Sequence, residues 1–367
     1  MRILACSNDR LGLKRAGPAT RALEITNFLA SHTQHSISII GPGEDVVLPA
    51  GVNRFTPKHW LGMLKLYLRQ EVIIAPSFKL SHLLMLYFLR RTVILDGYDP
   101  VPLEILEQHR EAPLRKKNFL QYFHTQVLNL ALRRADVVLC ASERQRHWYI
   151  GLLSALGRID PVRYTQDPKL TGLIQLAPFG LPEQAPVHQQ QVLKGVVPGI
   201  GEDDFVLLWG GGIWNWFDPL TLIQAIALLK QRFPKIKLFF LGIQHPNPAV
   251  PEMKKCTQAI ALAQSLGLYG TTVFFNEGWT PFEQRQNYLL ESDLGVSIHE
   301  DHLESEFSFR TRLLDYVWAH LPMVVTEGDV WSEIVREKNI GYVVGPKDVE
   351  QLAEIIAHAY SNHAELL

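Results

Sequence analysis

Twelve short runs of aliphatic and β-branched residues recur along the 367-residue chain, each separated from the next by a stretch long enough for a helix. They fall into two sets of six. The first set is Arg2–Cys6, Ser36–Ile40, Glu71–Ala75, Thr92–Asp96, Asp136–Cys140 and Leu173–Ala177. The second is Phe205–Trp209, Lys237–Leu241, Thr272–Phe275, Leu294–Ile298, Met323–Thr326 and Tyr342–Val344. A continuous apolar strand has no solvent face, so such strands alternating with helices predict a parallel sheet covered on both sides. Two sets predict two doubly wound α/β domains, in keeping with a length of about 100–200 residues per domain. Helix signals keep the same rhythm. Asp218-Pro219 supplies an N-cap acid and a first-turn proline to a helix expected to run to about Arg232, with Leu222, Ile223, Ile226 and Leu229 on one face. Thr20–Ala30 places Ala22, Ile25 and Leu29 on one side. The proline-marked, polar stretch from Pro182 to Gln191 reads as a linker. The expected division is a first domain over 1–180, a linker over 181–200, a second domain over 201–355 and a terminal helix over 356–367 that returns to the first domain.

Composition removes several classes. An apolar content of 47% excludes disorder, and 25 Gly with 22 Pro exclude collagen-like or low-complexity chains. A net charge of −1 argues against a surface given over to nucleic acid. Cys6, Cys140 and Cys256 stand far apart with no metal or redox spacing, and Cys6 and Cys140 sit in apolar runs. The N-terminus has neither a signal peptide nor a span, so a cytoplasmic protein is expected. The near-zero total conceals an asymmetry. Through Gly180 there are 23 basic and 14 acidic residues, a charge of +9; the remainder holds 13 and 23, a charge of −10. Basic residues interleave with large apolar ones in Phe55–Arg69, Phe78–Arg91 and Arg115–Phe123, a pattern expected of helices lying on an anionic membrane surface.

In open parallel sheets ligands bind beyond the carboxyl ends of the strands, so the loops after each strand are the places to search. The first is a basic loop with Arg10, Lys14 and Arg15 that leads through Gly17-Pro18 into a helix. The second, Trp209 to Trp216, offers three consecutive glycines for close backbone approach and three tryptophans for stacking on a base or sugar. It is neither a dinucleotide fingerprint nor a phosphate loop of the Walker type. The third, His299–Asp315, is the richest. Ser308 is expected to cap a helix running to about His320 and stopped by Pro322, presenting amides near Arg310 and Thr311 to a phosphate. Arg310 and Arg312 stand roughly 200° apart on such a helix, so only one can face a ligand. Thr311 and Asp315 share a face, one turn apart. Glu300, Asp301, Glu304 and Glu306 read as a solvated acidic loop or as site residues, and their spacing with the neighbouring histidines is not that of metal ligands.

At these residues the chain resembles the GT-B glycosyltransferases, in particular the retaining family 4. The resemblance rests on Gly17-Pro18 to Ala30, on ADVVLCASE at Ala135–Glu143, on APFGLP at Ala177–Pro182, and on VLLWGGG with its Asp-Pro-Leu helix. It rests most on LLDYVWAHLPMVVT at Leu313–Thr326, which looks like that family's LEAMAxGxPVV. It implies two Rossmann-like domains facing across a cleft, the first holding an acceptor and the second a nucleotide sugar. Family members carry two glutamates eight positions apart. Asp315 matches the second, while the eighth position back is Phe307, which leaves Glu306, with Glu304 in reserve, as the sugar contact. The family's Arg and Lys for the diphosphate are missing from the glycine loop, and Arg310, in the place of a family glycine, is expected to reach the phosphates. The family's histidine after the fourth strand is replaced within Asp96-Gly97-Tyr98-Asp99, with Asp99 expected to take its contact.

The resemblance therefore implies a metal-independent retaining transfer of a hexose-like sugar, without cofactor, from a nucleotide diphosphate sugar to a glycan or lipid-linked acceptor in cell-envelope polysaccharide or glycolipid synthesis. Asp99, Glu306 and Arg310 are the expected catalytic residues. Gly17, Gly211, Gly212, Trp214, Glu304, Ser308, Thr311 and Asp315 are expected to bind the donor. Two alternatives keep the fold: a nucleotide-sugar epimerase, and a non-catalytic subunit that binds nucleotide sugar.

Overall fold

The computed structural model describes residues 1–43, 45–248 and 250–363. The chain forms two compact units, Met1–Phe179 and Gly180–Leu367. The strands of the first are β1 (Arg2–Cys6), β2 (Ser36–Ile40), β3 (Val52–Arg54), β4 (Val72–Ala75), β5 (Thr92–Asp96), β6 (Val137–Cys140) and β7 (Ile174–Leu176). The second contains β8 (Phe205–Trp209), β9 (Ile236–Phe240), β10 (Val273–Phe275), β11 (Leu294–Ser297), β12 (Met323–Thr326) and β13 (Gly341–Val344). Their orders are β3-β2-β1-β4-β5-β6-β7 and β10-β9-β8-β11-β12-β13, and the pairings within both sheets are parallel.

Strand apolarity has the expected cause. Within β1, Leu4 and Cys6 enter one core cluster while Ile3 and Ala5 enter another on the opposite face. In β8, Phe205, Leu207 and Trp209 point to one side and Val206 and Leu208 to the other. A period of two distributes side chains to both faces, and both faces are apolar because helices cover each. One such cover is the helix Pro219–Leu229, capped by Asp218, whose carboxylate accepts from the Thr221 amide at 3.1 Å. Its Leu222, Ile223 and Ile226 are fully buried, each contributing about 1.5–3 kcal/mol by area. The helix ends at Leu229, three residues before the expected Arg232. The expected Thr20–Ala30 helix spans Gly17–His32.

Three further features differ from or add to the sequence reading. Strand β3 is a three-residue edge strand, VNR, with a single apolar side chain. The stretch expected as a linker is without helix or strand, but it belongs to the second unit. Glu291 accepts from the amides of Val192, Leu193 and Lys194 at 2.8–2.9 Å, and Leu193 is wholly buried in that unit's core. The last helix begins at Val349, runs to Ser361 and packs on Pro219–Leu229; the end of the expected 356–367 helix, residues 364–367, lies outside the described residues.

Sheet order in each unit reverses beside the first strand of the set, between β1 and β4 and between β8 and β11. At such a switch point the loops leave in opposite directions and open a crevice at the carboxyl ends of the strands. In the first unit a buried ion pair lies near this edge. Arg21 donates from Nε and Nη2 to Asp96 at 2.7 and 2.6 Å and from Nη2 to the Ala177 carbonyl at 2.8 Å, with the Tyr98 and Phe179 rings 5.1 and 4.5 Å away. Arg21 thereby joins the first helix, the end of β5 and the segment that leaves the unit.

Because three amides depend on one carboxylate, Glu291→Ala should strand them in a partly buried setting. The expected cost is about 2–3 kcal/mol in urea unfolding, with faster proteolysis between residues 184 and 194. Unchanged stability and cleavage would show that the segment is held by other contacts.

Candidate functional site

In the second unit the switch point brings together the loop after β8 and the segment after β11. The chain turns at Gly210–Gly212. Gly211 has φ +147°, a conformation that favours glycine. The ends of the central strands are joined by Tyr316, whose hydroxyl accepts from the Gly210 amide at 2.8 Å and lies 2.8 and 3.0 Å from the Leu208 and Val296 carbonyls. Gly295 on β11 leaves room for this ring: a Cβ there would stand 2.5 Å from Tyr316 Cδ2.

Directly beneath Gly211 lies the guanidinium of Arg312, where an added Cβ would be 3.7 Å from Cζ. Arg312 donates to the Gly212 carbonyl at 2.7 Å and packs 4.2 Å from the Phe217 ring and 4.9 Å from that of Trp209. It is only 9% exposed, and its Nη1 has no hydrogen-bond partner. Among the described residues no carboxylate pairs with it. Burial lowers its pKa to about 10, and the neighbouring Arg310 charge acts in the same direction. It therefore remains a cation at neutral pH, buried without a counter-charge.

Arg310 has the opposite setting. It was expected to reach phosphates, but its Nη1 and Nη2 donate to Glu304 at 2.8 and 2.6 Å, and Ser308 Oγ donates to the same carboxylate at 2.6 Å. Glu304 is 1% exposed, so Glu304, Ser308 and Arg310 form an internal cluster whose groups serve one another. The expected Ser308-capped helix is also corrected. His302 caps a short helix, Leu303–Phe307, by accepting from the Ser305 amide at 3.2 Å, and Ser308 ends it. A second helix starts only at Arg312 and ends at Trp318; Thr311 is its N-cap position but makes no side-chain capping bond. The break arises because Ser308 is extended, with ψ 151°, and its hydroxyl is bound to Glu304 rather than to a downstream amide.

Glu306 lies exposed on the short helix. Asp315 takes the Arg285 Nε at 3.0 Å; burial raises its carboxyl pKa and Arg285 opposes the rise. Glu300 is paired with Lys255 at 2.5 Å and Lys347 at 3.3 Å. Burial would raise its pKa, but the two ammonium groups pull it down to about 2. Of the three tryptophans after β8, Trp209 is fully buried and Trp216 nearly so, which corrects the expectation of three open faces. Trp214 is half-buried and stacks on Trp216 with centroids 5.2 Å apart. Trp279, absent from the expected set, covers the glycines: a Cβ on Gly212 would meet Trp279 at 3.3 Å and Trp214 at 3.4 Å. His245 sits 5.4 Å from the Trp214 ring and 5.2 Å from that of Trp279. Trp279 follows β10, so the strand-end logic that singled out Trp214 applies to it as well.

Gly17 and Asp99 lie in the first unit. Gly17 opens its helix without a side-chain cap. Asp99 follows β5 in a loop held by Gln145, which donates to the Tyr98 carbonyl at 2.6 Å; the Tyr149 hydroxyl packs close to Gly97, 2.6 Å from where a Cβ would be. Among the described residues no group of three or more His, Cys, Asp or Glu side chains is placed to hold a metal ion. Cys6, Cys140 and Cys256 are buried.

If the Glu304 cluster is structural, Glu304→Ala should cost about 3–5 kcal/mol, because it leaves Arg310 charged and buried. Adding Arg310→Met should recover part of that loss in urea unfolding. Equal stability of Glu304→Ala and the unsubstituted protein would refute the assignment.

Residues 204–362 match the family described as glycosyl transferases group 1. Over 176 residues the chain is 25% identical to EpsD of Bacillus subtilis (strain 168), which carries a provisional glycosyltransferase name; the match covers 48% of this chain and 41% of EpsD. The chain thus spans less than half the length of that curated relative. Among solved structures it is similar to WaaG, a glycosyltransferase involved in lipopolysaccharide biosynthesis, with a TM-score of 0.67 and 16% identity over 99% of this chain and 92% of that one. It is also similar to sucrose-phosphate synthase from Thermosynechococcus elongatus, with 0.63 and 14% over 99% and 90%. For HepE of Anabaena in complex with UDP and glucose the values are 0.64 and 16% over 100% and 91%. At these identities the structures carry the fold alone: the chain has the GT-B fold, and its residues 204–362 are similar to the group 1 glycosyltransferases.

Proposed function

We propose that the protein is a retaining glycosyltransferase that moves a hexose-like sugar from a nucleotide diphosphate sugar to a glycan or lipid-linked acceptor in cell-envelope polysaccharide or glycolipid synthesis. The observation that carries this reading is the buried, uncompensated Arg312 beneath the Gly210–Gly212 turn. A cation in a low-dielectric setting at a sheet switch point is stabilised by an anion bound above it. The diphosphate of a donor supplies that anion. Its negative charge grows as the glycosidic carbon–oxygen bond breaks, so a fixed positive charge lowers the barrier more than it stabilises the bound donor.

In this reading Arg312 takes the part of the absent family Arg and Lys. Trp214 and Trp279 flank the glycine loop and offer ring faces to the nucleoside or the sugar. Asp315, presented one turn along the helix from Arg312, receives ribose hydroxyls beside its Arg285 partner. Glu306 is proposed to contact the transferred sugar. The acceptor hydroxyl attacks on the face from which the diphosphate leaves and its proton passes to a departing phosphate oxygen, which retains the anomeric configuration without an enzyme nucleophile or a metal. Support from relatives is of the same kind: HepE was solved with UDP and glucose, and WaaG acts in lipopolysaccharide biosynthesis.

Incubation with a panel of nucleotide sugars, following nucleotide release with and without glycan and lipid-linked acceptors, should show release that an acceptor accelerates. Nuclear magnetic resonance of the product should show the donor's anomeric configuration. Absence of release and of binding with every donor, from folded protein, would overturn the proposal; isomerised donor formed without acceptor would instead identify an epimerase.

A further inference from the structure

We propose that the first unit docks on an anionic lipid bilayer through three neighbouring helices, Trp60–Arg69, Leu80–Phe88 and Leu114–Arg134. The chain holds 37 acidic residues, yet none falls within 55–69, 78–91 or 113–134, segments that together contain eleven Lys and Arg. These segments form the three helices and their flanks. Arg134 donates to the Leu86 and Leu89 carbonyls at 2.7 and 3.1 Å, and Tyr87 donates to that of Leu130 at 2.9 Å, which ties the second helix to the third. Arg91 donates to the Leu68 carbonyl at 2.7 Å, which ties the first helix to the end of the second.

Each helix leaves large apolar side chains in water. Trp60 is 63% exposed, Phe88 87%, Phe119 66% and Tyr122 68%. Leu84 and Leu114 are exposed beside them. Removing such groups from water is favourable in proportion to their area, and they stand among Lys65, Lys79, Arg115 and Lys116, all exposed. A purely electrostatic nucleic-acid face would not leave leucines uncovered, and an apolar protein interface would not exclude acids from all 51 positions of these segments while gathering bases. Apolar and aromatic groups that enter the head-group boundary, with Lys and Arg at phosphate level, match an anionic bilayer in both respects. Among the described residues no helix is long and apolar enough to cross a membrane, so the contact is at the surface. The proposal deepens the glycosyltransferase reading, since it assigns the acceptor to a lipid surface, but its test needs neither donor nor turnover.

The full chain should sediment with vesicles of phosphatidylcholine containing phosphatidylglycerol at low salt, less so at high salt, and should not sediment with phosphatidylcholine alone. The triple variant Phe88→Ser, Phe119→Ser, Tyr122→Ser and the double variant Arg115→Glu, Lys116→Glu should each weaken binding about tenfold or more. These side chains are largely exposed, and unchanged thermal unfolding would show that both variants fold. No binding to anionic vesicles, equal binding to neutral ones, or variants that bind as the parent would each overturn the proposal. Nucleotide release from donor in the absence of membrane, together with failed vesicle binding, would leave the reaction standing and remove only the surface.

Discussion

A positive charge buried without a partner is the constraint on which the second unit turns. Placing a guanidinium in a protein interior costs several kcal/mol even after relaxation. The Arg312 site returns part of that cost through one carbonyl, contributed by Gly212, and through the faces of Phe217 and Trp209. Charged hydrogen bonds and cation–π contacts contribute about 1–3 kcal/mol each, which leaves an unbonded Nη1 and an unbalanced charge. The backbone of Gly211 takes a positive φ that favours glycine, and the guanidinium packs against it at ordinary contact distance. The Tyr316 hydroxyl, which bridges the ends of β8 and β11, keeps the turn at fixed height above the cation.

Arg310, two residues away, is an arginine of the same neighbourhood whose charge is paired with a carboxylate. Its fork closes on Glu304, Ser308 completes the carboxylate, and Phe217 lies 4.8 Å from it on the side shared with Arg312. Arg21 and Asp96 form an equally closed pair in the first unit. Closed pairs of this kind specify geometry, and breaking one is costly because it leaves a charge behind. Arg312 departs from that pattern at the point where a doubly wound sheet opens its ligand crevice, and a departure from internal consistency is where function is to be sought.

Most of the fold was legible because parallel strands buried on both faces must be continuously apolar. Twelve such runs reappear as strands within a residue or two of their expected limits, whereas β3 escaped notice because an edge strand of Val52-Asn53-Arg54 carries no such signature. The strand ends that carry the candidate residues were legible too. The partners of those side chains were not. Treating Ser308 to His320 as one helix made Arg310 and Arg312 interchangeable up to a rotation. The chain instead breaks after Phe307, and the partnership of Glu304 with Arg310 across that break depends on tertiary placement. A histidine acting as the helix cap, at His302, hid the true start. Trp209 and Trp216 read as ligand faces because strand-end position does not distinguish a ring turned inward from one turned outward.

The most direct measurement compares thermal unfolding of the parent and Arg312→Met, each with and without a nucleoside diphosphate. If Arg312 is held uncompensated for an anion, replacing it by an apolar side chain of similar length should raise the stability of the free protein. The same change should abolish most of the stabilisation that the diphosphate confers on the parent. A free protein made less stable by Arg312→Met, with the diphosphate effect intact, would show that Arg312 is an ordinary structural arginine and would contradict the account.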